Sequence, residues 1–142
     1  ALPIYKCFDY VMMTYNYVEA RRNSLIEKLN KNNIGIITGG SLNRSLSTFS
    51  LIPHSMSDLW YIARVMKNRR EDLKRTKRYS FINSISGMTP QQASLAYVLH
   101  NSNITSAVFN TMNTEHLKSN ADVVNMTLST DVIKRIEQEG TQ

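Results

Sequence analysis

Three short apolar segments, set apart by helix-like stretches, constrain this chain more than any other feature. Residues 8–17, FDYVMMTYNY, are rich in β-branched and aromatic side chains, and Val11, Met12 and Met13 leave neither face polar. Such a segment suits a strand buried on both faces in a parallel sheet. Residues 34–38, IGIIT, give a second buried strand, stopped by Gly39 and Gly40, and residues 104–109, ITSAVF, give a third.

The intervening stretches carry the helical period. In residues 19–32, Leu25, Ile26 and Leu29 fall on one side, and Asn33 marks the end. Residues 43–56 read as a loop. Ser57 then caps a helix with Leu59, Ile62, Ala63 and Met66 at helical spacing. The sharpest local signal is Thr89-Pro90-Gln91-Gln92: a cap, a proline at the first helical position and the partner of a capping box. Asn113 caps a helix that should turn Leu117, Ala121 and Val124 inward. A last helix from Ser129 should bury Ile133 and Ile136.

The order is therefore β-α-β-loop-α-α-β-α-α, which predicts parallel pairing through right-handed crossovers. Three strands are few for such a sheet. It needs cover on both faces and leaves two unpaired edges, as part of a larger sheet would.

Length and composition narrow the classes. A chain of 142 residues is read as one domain, 1–142, with 42% hydrophobic and 20% charged residues. No apolar run approaches the length of a membrane span. The single cysteine, Cys7, excludes an internal disulfide and a zinc-finger type of metal site, and it reads as a small buried hydrophobe. Met12, Met13 and Met66 read as core filler, and Trp60 as partly buried beside the core stripe or as an interface anchor. A net charge of +6 admits an anionic partner. Seven basic residues fall between Lys67 and Arg78, but Glu71 and Asp72 are interspersed and aromatic interleaving is missing. That favours a solvated helix face over a nucleic-acid track. The start without Met is expected of a processed product, a fragment or a chain lacking its true start, with no cleavable targeting segment remaining. It is compatible with mitochondrial import as well as with a cytoplasmic protein.

Taken in order, these segments resemble the C-terminal part of the aldo-keto reductases. FDYVMMTYNY looks like that family's sixth barrel strand, and NNIGIITGGSL like its seventh strand and following turn. MTPQQASLAYVLHNSNITSAVFNTMNTEHLKSNADVV resembles the stretch that runs through the eighth strand, a phosphate-binding turn and the last family helix. The resemblance implies an α/β fold, a partial (β/α)8 TIM barrel of three parallel strands with flanking helices. A whole barrel takes about 250 residues, so another chain or a missing part must complete this one.

The resemblance also implies a dinucleotide site, with NADP(H) as the cofactor. Tyr15 falls where an aromatic ring stacks on the nicotinamide, and it reads equally as a packing residue at the barrel top. Gly39-Gly40-Ser41-Leu42-Asn43-Arg44 falls where small residues and backbone amides approach the pyrophosphate, with Ser41, Leu42 and Arg44 as candidates. After the third strand, Phe109-Asn110 stands in place of a Pro-Gly or Pro-Lys pair, and Thr111 keeps the hydroxyl that follows it. His116 replaces the Arg that stacks on adenine, Ser119 replaces a Glu, and Asn120 is kept. The family's proton-donating Tyr and its Lys, Asp and His partners come from strands that have no match here, so the chain should not be catalytic alone. Two readings stay open. One, favoured by the changes at Phe109, Asn110, His116 and Ser119 and by the missing catalytic strands, is a reductase-like module kept as a structural or interaction subunit with other protein chains. The other is the cofactor-side portion of an NADP(H)-dependent oxidoreductase.

Overall fold

The computed structural model describes residues 7–42 and 78–140. The expected loop at 43–56, the stripe from Leu59 to Met66, Trp60 and most of the basic run lie outside the described residues. So does Arg44.

Three strands form one parallel sheet in the order β1 (Tyr10–Thr14), β2 (Gly35–Gly39), β3 (Ser106–Ala107). β1 is followed by a 3-10 segment, Tyr17–Arg22, and by α1, Asn23–Lys31. Asn33, at φ 58°, ends that helix in a left-handed conformation that asparagine tolerates. A 3-10 turn, Ser80–Ser84, leads to α2, Pro90–His100. After β3 come α3 (Thr114–Ala121), a 3-10 turn (Asp122–Asn125) and α4 (Thr130–Gly140). The capping box at the start of α2 forms as the sequence predicts: the Gln92 amide N–H donates to Thr89 Oγ1, and the Thr89 N–H to Gln92 Oε1.

Among the described residues, the sheet is covered on one face only. Ile36 and Thr38 of β2 are fully buried, with Val11 and Met13 of β1 beside them in register. Ile26 and Leu29 of α1, Leu95 and Val98 of α2 and Ile136 of α4 belong to the same core. The opposite face carries Tyr10, Met12 and Thr14 paired with Gly35, Ile37 and Gly39, and Ser106 beside Ile37. Tyr10 is 61% exposed and Met12 65%. The Tyr10 ring lies over Gly35, where a Cβ would come within 2.4 Å of it.

Four expectations are corrected here. Met12 is not core filler, because all the described helices lie on the other side of its strand. Cys7 is exposed, since it precedes β1 outside the covered layer. The first and third strands are shorter than expected, although the Thr105 N–H to Ile36 O and Val108 N–H to Thr38 O bonds carry the β3 pairing past its ends. The inward stripe over α3 and the 3-10 turn after it is misassigned: Leu117, Ala121 and Val124 are exposed, and Asn120 and Val123 are buried. Two bonds from the Gln92 side chain to Ser119 turn that side of α3 toward α2.

Candidate functional site

Ligands of parallel α/β sheets bind beyond the carboxyl ends of the strands. Three connections meet there: after Thr14, after Gly39 and after Ala107. Asn16 ties the first two together. Its Oδ1 accepts from the Val18 N–H at 2.9 Å, and its Nδ2 donates to the Gly40 carbonyl at 3.1 Å. Arg22 closes over the end of β1, with Nη1 donating to the Thr14 carbonyl at 2.8 Å and Nε 3.0 Å from Glu19.

Tyr15 does not offer a free ring to a ligand. It is 1% exposed and stacks on Tyr97 with centroids 5.9 Å apart, and its hydroxyl donates to Asn23 Oδ1. Of its two sequence readings, packing describes its surroundings. Burial pushes the pKa of both tyrosines above the ordinary phenol value, partly offset at Tyr15 by the Tyr97 hydrogen bond. Both border a cleft of about 240 Å³ that reaches Asn23, Glu27, His100 and Glu137.

The turn after β2 is built from small groups. Gly40 stands at φ 68°, where a side chain would be strained, and a Cβ there would come within 3.1 Å of Thr14 Cγ2. Ser41 is buried, its hydroxyl 3.3 Å from Thr38 Oγ1, and its carbonyl accepts from the Ser94 hydroxyl of α2. Leu42 is half-buried against the core.

After β3 the chain is open. Asn110 is exposed and Thr111 half-buried. Thr111 Oγ1 accepts from the Asn113 N–H at 3.2 Å, and Asn113 Oδ1 caps α3 by accepting from the Glu115 N–H at 2.8 Å. His116 is exposed in the first turn of α3, whereas Asn120 is 6% exposed. Strand pairing thus brings Ser41 and Leu42 beside the segment that leads to Asn110 and Thr111, and Tyr15 is set apart in the helical layer.

Sequence reading missed Asn16, Thr38 and Ser94. Asn16 lies inside the FDYVMMTYNY segment, where Tyr15 alone reads as a candidate site residue, and Ser94 reads as an ordinary small residue on an inward helix face. Their importance comes from partners 24 and 53 residues away. Among the described residues, no cluster of His, Cys, Asp and Glu could hold a metal ion, and no helix is long and apolar enough to cross a membrane.

Comparison with known proteins places this geometry. The model of the aldo/keto reductase family matches residues 5–139. No curated protein matches the chain significantly. Among solved structures, the chain is similar to the thermostable aldo-keto reductase Tm1743, solved with the inhibitor epalrestat. The identity is 20% and the TM-score 0.56, over 92% of this chain and 39% of that one. It is also similar to the aldo-keto reductase AKR11C1 from Bacillus halodurans. The holo form gives 15% identity and a TM-score of 0.63, over 92% of this chain and 42% of that one. The apo form gives 16% and 0.60, over 92% and 43%. At such identities the likeness is one of fold, a (β/α)8 barrel of which this chain spans about two fifths. With the family model covering nearly its whole length, the chain belongs to the aldo/keto reductase family.

Proposed function

We propose that the chain is the cofactor-side portion of an aldo-keto-reductase barrel, with NADP(H) held at the carboxyl ends of its strands. The observation that supports this is the turn after β2. Gly40 in the left-handed region lets the backbone come close to a phosphate, and the carbonyls of Gly40 and Ser41 are both occupied by side chains behind them. The residues present fit the phosphate end of a dinucleotide better than its nicotinamide end, because Tyr15 is already packed. Ser41 and Leu42 would supply backbone amides there, and Thr111, Asn110 and His116 would line the neighbouring connection, with Arg44 and Asn120 as further candidates. Bound nicotinamide would supply the hydride; the proton-donating set of the family has no match among these residues, so carbonyl reduction needs a complementary part.

A second reading, a non-catalytic subunit held in an assembly of protein chains, is favoured by the sheet face that no described residue covers. Titrating the full chain with NADPH and following its fluorescence decides between them. Saturable binding is expected for the cofactor-side portion. No change at high micromolar protein, with the natural partners present, would leave only the subunit reading.

A further inference from the structure

The two peptide groups that follow β2 are each held from behind by a side chain of another element. Asn16 donates Nδ2 to the Gly40 carbonyl at 3.1 Å, and Ser94, fully buried in α2, donates its hydroxyl to the Ser41 carbonyl. Neither bond is a local convenience. A serine inside a helix ordinarily bonds back to the carbonyl four residues earlier, yet Ser94 reaches across to another element. Asn16 has both ends of its amide in use, since Oδ1 accepts from the Val18 N–H, and this fixes which end faces Gly40.

A trans peptide is planar, and its C=O and N–H point in opposite directions. Pinning the Gly40 oxygen therefore turns the Ser41 N–H away from Asn16. Pinning the Ser41 oxygen turns the Leu42 N–H away from α2. Neither amide donates to an acceptor among the described residues. The Ser41 hydroxyl is engaged sideways with Thr38, so the backbone is what this turn presents. Successive amides beside a left-handed residue make a concavity suited to an anion. Gly40 alone would not hold that arrangement, because glycine visits left- and right-handed conformations about equally.

We propose that Asn16 and Ser94 are positioning residues that lock the two peptide planes after β2 with their N–H groups turned outward to receive phosphate oxygens. This rests on the dinucleotide reading above. The lock means that an arriving phosphate does not have to order the turn, which is where much of the cost of binding a mobile loop lies.

The test uses the full chain and two variants. Ser94→Ala removes the hydroxyl donor. Asn16→Asp keeps the oxygen that caps Val18 and replaces the donor to Gly40 with a charged oxygen, so Ser94→Ala is the variant that reads the lock without an added charge. Three quantities are read: thermal midpoint, amide hydrogen exchange at Ser41 and Leu42, and NADPH affinity by fluorescence. In the parent chain NADPH should slow exchange at these amides; in each folded variant that slowing should shrink at least about fivefold and NADPH affinity should fall about tenfold, in line with the loss of a buried hydrogen-bond partner. A merely structural role would lower the thermal midpoint and leave the affinity of the folded variant unchanged, and that result overturns the proposal. NADPH that slows exchange at Leu42 as much in both variants as in the parent chain overturns it as well. Absence of NADPH binding by the parent chain sinks the dinucleotide reading instead, so the two failures are told apart.

Discussion

Tyr15 and Tyr97 show how one buried pair can set a pH limit. Burial raises both phenols above 10.0, so in the folded chain they keep their protons where the unfolded chain has begun to lose them. A raised pKa contributes stability that is fully present below the unfolded value and is lost as the pH climbs through the folded one. Denaturant midpoints are therefore expected to hold between pH 8 and 9 and to fall steadily above about pH 10. Tyr97→Phe should flatten that alkaline slope while costing some stability at pH 8. An unchanged slope in the variant would mean that the pair is not what titrates.

Gln92 does at the scale of elements what the tyrosines do at one point. Its side chain accepts from the Thr89 N–H, and its Nε2 donates to both the carbonyl and the hydroxyl of Ser119, so it caps α2 and fastens α3 to it. Gln92→Ala should cost about 1–3 kcal/mol in urea unfolding, against about 1 kcal/mol for Thr89→Ala. Equal losses would mean that the Ser119 bonds add nothing. The same region shows what sequence could and could not tell. The capping box is spelled out within four residues, so it was legible, as were Ile133 and Ile136 of α4, whose spacing matches their burial. The inner side of α3 was not legible, because a polar residue, Asn120, is the buried one and the apolar Leu117 and Val124 face outward. Strand type was legible from composition, but Met12 looked buried because nothing in one strand's sequence says how many layers will cover it. The candidate site was readable at Gly40 and Ser41, where small residues stand together, and unreadable at Ser94, whose partner lies 53 residues away.

At the largest scale, the sheet face opposite the described helices carries the exposed apolar side chains. Phe8, Tyr10, Met12 and Val108 are exposed apolar side chains on or beside that sheet. Met12→Lys should leave the stability of the isolated chain within about 0.5 kcal/mol, as surface changes do. In an assembly that covers the sheet, the same change buries an unpaired charge and should abolish association. Native mass spectrometry of material from the natural source reads this directly. Association that survives Met12→Lys would place the interface elsewhere.

The C-terminal helix also governs when this unit can exist during synthesis. Gly140 sits so close to Ala20 that a Cβ on it would approach the Ala20 Cβ to 2.7 Å, and Arg78 reaches the carbonyl of Glu139. The segment just after the first strand is thus covered by residues made some 120 positions later. A ribosome adds about 5–20 residues each second, so that segment waits several seconds or more for its lid. Until residue 140 has left the exit tunnel, Ala20 lacks the cover that Gly140 gives it, whereas Tyr17 meets the Tyr79 ring some 60 residues sooner.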